Sequence, residues 1–149
     1  MSRRYGIVLL LLATLTAFLV AVAHLSCIYF GPQCYAVQMA PPFVVESARA
    51  GTLMAPLLTV AVSAIFILLG CYALSAARFI RRLPFLRLGI YSISAVCIVR
   101  GVLPIQLFFR YPEKISDPVL IAGIVWLVVG LCYLFGYRAV ESTACAKEC

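Results

Sequence analysis

The stretch Leu86–Phe109, LRLGIYSISAVCIVRGVLPIQLFF, decides how the rest of the chain is read. About 20 mostly apolar residues suffice to cross ~30 Å of hydrocarbon as a helix, and this run exceeds that length. It also carries Arg100 well inside. A guanidinium in hydrocarbon needs a partner, water or a route to the headgroups. Counted from Leu86, Arg100 lies about 14 residues, or ~21 Å, along the helix. What answers its charge is the first functional question the sequence raises.

The composition agrees. Of 149 residues, 65% are hydrophobic and 11% charged, with a mean hydropathy of +1.11. A soluble domain runs near 45–50% apolar and about 25% charged. A water-soluble fold of this size could not hide so much apolar surface, so the expectation is an all-α polytopic membrane protein with one membrane domain over 1–149. The net charge of +7 does not point to nucleic acid as a partner, because no binding motif accompanies it. Arg3, Arg4, Arg78, Arg81, Arg82 and Arg87 stand at the ends of apolar runs, where they read as topology signals and contacts to anionic lipid.

Four spans are expected, at about 6–24, 51–75, 86–109 and 118–137. The first competes with a signal peptide, since Ala21-Val22-Ala23 is a cleavage pattern before His24. The run Ile7–Ala23 is longer than the usual ~7–15 residue signal core, which favours a retained helix. Ala13, Ala17 and Ala21 form a small-residue stripe suited to helix packing. The connection 25–50 holds Cys27, Gly31-Pro32, Cys34, Tyr35 and Pro41-Pro42. A short helix from about residue 42 is expected there, with Glu46 and Arg49 paired on one face, continuing into the second span. Ser116 or Asp117 caps the fourth helix and Pro118 opens it. Trp126, mid-span, reads as packing or a pocket wall.

Loop charges predict the orientation. The N-terminus and the 77–87 connection carry the arginines, whereas 25–50 and 110–117 are close to balanced. The positive-inside bias then gives a four-helix antiparallel bundle with both termini cytoplasmic. In that frame Arg100 sits in the outer half of the membrane. His24, Glu46, Arg49 and Gln106 come toward the same depth from separate pieces of chain, with Tyr35 nearby. Glu46 is the acid expected to answer Arg100, directly or through water. The ligand-binding candidates are therefore Arg100, Glu46, His24, Tyr35, Arg49 and Gln106. The plainer reading is that Arg100 snorkels to the outer headgroups, that Glu46 and Arg49 are a surface pair and that His24 is interfacial.

Cys27 and Cys34 fall on the outer, oxidising side and are a disulfide candidate. Their six-residue spacing is not the C-x-x-C of a thiol oxidoreductase. The other outer loop, RYPEKISDP, lacks the second pair that a quinone-linked four-helix disulfide oxidase would exchange with. Cys71, Cys97 and Cys132 read as small packing residues. Cys145 and Cys149 make a weak soft-metal site, so no metal and no cofactor is expected. With a single histidine and no H-E-x-x-H, G-x-S-x-G or phosphate-cradling glycine loop, the common hydrolase and nucleotide signatures are missing.

Across Leu10 to Gly101 the pattern His24, Gly31-Pro32-x-x-Tyr35, Ala40-Pro41-Pro42, Gly51-Thr52, Ala55-Pro56, Leu74-Ser75, Leu83-Pro84-x-Leu86-Arg87 and Arg100-Gly101 resembles a family of small four-span inner-membrane proteins of proteobacteria. The resemblance implies the topology and a bacterial inner membrane. It implies no reaction.

The expected function is non-enzymatic: binding or passing a lipid or small apolar ligand near the outer leaflet. Membrane lipids are the expected partners. The alternatives are a thiol–disulfide membrane oxidoreductase using Cys27 and Cys34, and a structural subunit packing through its alanine and glycine stripes against a second copy or a larger membrane partner.

Overall fold

The structure, a computed structural model, describes residues 3–111, 113 and 116–145, with side chains absent from the description at 143–145. The soft-metal reading of Cys145 and Cys149 falls outside the described side chains. Among the described residues the secondary structure is helical, in the order α1 (Arg3–Phe30), α2 (Pro32–Val37), α3 (Pro42–Arg49), α4 (Met54–Ala76), α5 (Leu86–Arg110) and α6 (Asp117–Cys145).

Helices α1, α4, α5 and α6 are each long and apolar enough to cross a membrane. Large aliphatic side chains such as Leu15, Leu57, Ile65, Val96 and Ile124 stand exposed along them. Apolar surface on that scale suits hydrocarbon and not water. The chain is thus an all-α, multi-pass integral membrane protein.

Several boundaries differ from the sequence reading for local reasons. Residues 25–30 contain no helix breaker, so α1 runs past His24 to Phe30 and stops before Gly31, whose φ is 77°. The helix that starts at Pro42 does not continue into the next span. It closes at Arg49, where Gly51 N–H bonds Ala48 C=O (3.4 Å) and Thr52 N–H bonds Ser47 C=O (3.0 Å). This bond pair caps a helix through a left-handed residue, and Gly51, at φ 66°, supplies it. The chain then starts again at Met54, with the Ser47 hydroxyl accepting the Ala55 N–H (3.0 Å). The same bond pair closes α2 at Met39 (φ 56°) and α4 at Arg78 (φ 65°), neither of which is glycine. Beyond residue 137, α6 continues to Cys145, with Ala139 and Val140 still buried.

The chain divides into two compact units, residues 1–14 with 71–149 and residues 15–70. In the larger unit, Leu10, Ile90 and Tyr133 are fully buried at the centre of the core. Its helices approach closely through small residues. A Cβ on Gly101 would come within 2.5 Å of the Leu127 backbone nitrogen, and one on Gly130 within 2.9 Å of the Ile98 nitrogen. Ser94 donates to the Gly130 carbonyl at 2.8 Å. Gly6 and Gly136 bring the start of α1 against α6, and the Tyr72 ring lies over Gly89.

The smaller unit is built around the Cys27–Cys34 disulfide. Cys27, Tyr35, Val44 and Ala55 form its buried cluster. Ser63 donates to the Ala21 carbonyl at 3.3 Å, and the Phe18 ring occupies the space above Gly70.

Candidate functional site

The phase of α5 places Arg100. The buried residues of this helix are Ile90, Ser94, Cys97 and Gly101, spaced at three and four so that they share one face. Arg100 lies about 90° from the middle of that face, and its side chain is exposed on the flank of the α5–α6 pair. The helix has 25 residues, about 37 Å at 1.5 Å per residue. Arg100 is ten positions short of its end, which puts it about 15 Å below the terminus. A stretched arginine side chain covers only part of that distance.

The neighbouring helix offers it no acid. Gly101 meets Leu127, and Gly123 meets Pro104, so the level of Arg100 on α6 is Leu127–Val128. Asp117 lies about 15 Å away along α6 in one direction and Glu141 about 20 Å in the other. Among the described residues of the larger unit, no carboxylate stands at that level.

Pro104 adds a second feature at this position. A helical carbonyl normally accepts from the residue four positions on. Proline has no N–H, and Pro104 stands inside α5, so the Arg100 carbonyl lacks its helical donor. One position therefore presents both a cation and a carbonyl that lacks its helical donor. The sequence shows this in the spacing Arg100-x-x-x-Pro104.

The remaining candidates have different surroundings. Gln106 is exposed on α5 and belongs to the same unit as Arg100. Glu46 and Arg49 are exposed on α3, in the smaller unit. His24 is half-buried, its Nδ1 2.9 Å from the Val20 carbonyl of its own helix and its ring 5.3 Å from Phe66. Tyr35 is only 5% exposed and its hydroxyl is hydrogen-bonded to Thr59 at 3.1 Å. His24 and Tyr35 are thus engaged within their unit by contacts that hold the fold.

Cys27 is fully buried and bonded to Cys34. Cys34 is partly exposed, and the bridge lies in the buried cluster with Tyr35 and Val44. The alanine stripe is also used internally, with Ala13, Ala17 and Ala21 all buried. Trp126 is partly buried against the core of the larger unit.

One polar feature was missed from sequence. At the end of the larger unit where the arginines gather, Ser75, Arg78, Arg82, Leu86, Tyr137 and Glu141 line a recess of about 60 Å³. The readable signal was a lone acid placed one helical turn past Tyr137, on the side of the chain that carries the arginines. Family models, curated proteins and solved structures were all compared with the chain and none matches, so the chemistry of these sites rests on their own residues.

Proposed function

We propose that the protein is a non-enzymatic inner-membrane protein of bacterial type that holds a lipid or small apolar ligand with an anionic end at Arg100, in the outer half of the bilayer and with both termini cytoplasmic. The observation that carries this reading is Arg100 itself: exposed on the flank of a tightly packed helical pair, without a carboxylate at its level on the facing helix, and with its carbonyl released by Pro104. A carboxylate or phosphate would satisfy the guanidinium, with two parallel hydrogen bonds available to it. A hydroxyl on the same ligand would satisfy the carbonyl. Exposed aliphatic residues on either side, Val96, Val99 and Leu103, would take the apolar remainder.

The reading rests on Arg100 and Gln106 and asks nothing of Glu46, Arg49, His24 or Tyr35. The orientation is supported from two directions. The arginine-rich 77–87 connection favours the cytoplasm, and the Cys27–Cys34 bridge in the connection on the other side of α4 favours an oxidising compartment.

Mass spectrometry of molecules that co-purify with the detergent-extracted protein tests the proposal. Wild type is expected to retain an anionic amphiphile, Arg100→Lys to retain less of it, and Arg100→Leu to lose it. Once stripped of ligand, Arg100→Leu is expected to unfold at a higher temperature than wild type, because an unmatched charge has been removed. An unchanged set of bound molecules in Arg100→Leu would overturn the reading.

A further inference from the structure

We propose a second, separate lipid site at the arginine-rich end of the larger unit, which takes a phospholipid whose headgroup carries a phosphodiester and a primary ammonium, as in phosphatidylethanolamine. The site has two adjoining parts. The first is the polar recess of about 60 Å³ lined by Ser75, Arg78, Arg82, Tyr137 and Glu141. A water needs ~10–15 Å³ of such space, so the recess has room for about four water-sized groups, close to one phosphate. The second is an open, largely apolar surface of about 470 Å³ along the start of α5, lined by Phe85, Leu86, Arg87, Leu88 and Tyr91. Leu86 lines both. Tyr91 in the groove meets Tyr137 in the recess edge to face, ring centres 5.8 Å apart. A charged pocket opening at its rim into an apolar trough has the form of a lipid seat, headgroup in one part and acyl chain along the other.

Its level in the membrane suits that occupant. The recess is formed where α4 ends, α5 begins and the last turns of α6 pass. Paired tyrosines and clustered arginines belong at the headgroup boundary. Basic pockets between helices at such a boundary are suited to phosphate headgroups.

The charges choose among headgroups. Arg78 and Arg82 can meet a phosphodiester, each guanidinium presenting parallel donors to its oxygens. Glu141 lies in the same recess and would repel a second anionic group, while it accepts hydrogen bonds from an ammonium. One of its oxygens already takes the Tyr137 hydroxyl at 3.4 Å, which steadies the carboxylate. The Ser75 hydroxyl is held away from the ligand: it accepts the Leu83 N–H at 2.9 Å and donates to the Arg81 carbonyl at 3.2 Å. That pair of bonds pins the 77–85 connection and so places Arg78 and Arg82.

Arg78 occupies the left-handed position that caps α4, at φ 65°, where glycine is the unstrained choice.

The test uses the full chain in detergent. Binding of phosphatidylethanolamine, phosphatidylcholine, phosphatidylglycerol and inorganic phosphate is measured by native mass spectrometry and by shifts in unfolding temperature. Wild type is expected to prefer phosphatidylethanolamine to phosphatidylcholine by about tenfold, the scale of one charge-assisted hydrogen bond. Arg78→Gly is expected to unfold at a higher temperature without lipid and yet to lose most of that binding, so failure to fold cannot explain the loss. Glu141→Gln is expected to reduce the preference over phosphatidylcholine while phosphatidylglycerol binding holds or improves. Equal binding of all three lipids by wild type would overturn the headgroup assignment. Protection by inorganic phosphate as strong as by lipid would replace the lipid with a free anion. Unchanged lipid binding in both Arg78→Gly and Arg82→Gln would overturn the site. None of these arms involves Arg100, so they stand apart from the proposal for the outer half.

Discussion

The two compact units solve the same problem by different means. In the larger one, helices come close enough for backbone to touch backbone: Gly101 against Leu127, Gly130 against Ile98, Gly6 against Gly136. The smaller one has fewer such approaches and relies on a covalent bridge and on side chains that bond the main chain, such as Ser47 to the Ala55 N–H. Without a hydrophobic drive between helices in lipid, close packing and internal hydrogen bonds are what remain to hold a membrane fold. The larger unit draws mainly on the first. The smaller unit, which contains two helices of six and eight residues, draws on the second. Helices that short do not hold their shape unaided.

The sharpest way to break this contrast is to enlarge Gly101. Its neighbour is the Leu127 backbone, which has no rotamer to yield. Gly101→Val is expected to cost about 3 kcal/mol, the upper part of the usual overpacking range. Gly70→Ala in the smaller unit should cost less, because the obstacle there is the Phe18 ring, which can turn. Reversible unfolding in mixed micelles, titrated with a denaturing detergent, measures both. Equal losses would mean that packing in the two units is of one kind.

Next in size is the disulfide. The bridged cysteines are seven residues apart, and closing so short a loop is worth roughly 2–3 kcal/mol in the chain-entropy account. A Cys27→Ala/Cys34→Ala double variant is expected to unfold at a lower temperature and to gain amide exchange in residues 31–53. Reductant should lower the wild-type value toward the variant and leave the variant unmoved. Protection in 31–53 that survives loss of the bridge would show that the serine and tyrosine contacts hold these short helices without it.

Legibility from sequence follows the same division. The four long helices were readable because hydropathy over some twenty residues is a property of the run and does not depend on neighbours. Their ends were less readable. The first span is expected to end near residue 24, but the change of backbone comes only at Gly31. The helix from about residue 42 is expected to run on into the second span, whereas Gly51 at φ 66° turns the chain between the two helices. The short α2 left no periodic signal in six residues. For the candidate site, the depth of Arg100 could be counted along α5, but its flank position needed the helix phase set by Ser94, Cys97 and Gly101. The recess at Arg78, Arg82 and Glu141 joins two segments some fifty residues apart in the chain, a proximity that no local pattern encodes.

The smallest expected effects discriminate most finely. Ser94 and Ser63 each send one hydrogen bond across to a carbonyl on another helix, Ser94 to Gly130 at 2.8 Å in the larger unit and Ser63 to Ala21 at 3.3 Å in the smaller. Bonds of this kind inside membrane proteins average about 0.6 kcal/mol. The Ser94 bond is the shorter and sits beside the close approach of Gly130 to the Ile98 backbone, where removing the hydroxyl leaves the Gly130 carbonyl with little room for a replacement partner. Ser94→Ala is therefore expected to cost about 1 kcal/mol and Ser63→Ala about half of that. The same detergent titration resolves the difference when the two variants are measured side by side. If Ser63→Ala proves the more costly, the smaller unit is held by its interhelical bonds more than by its clamp, and the disulfide variant should then lose less than the loop length implies.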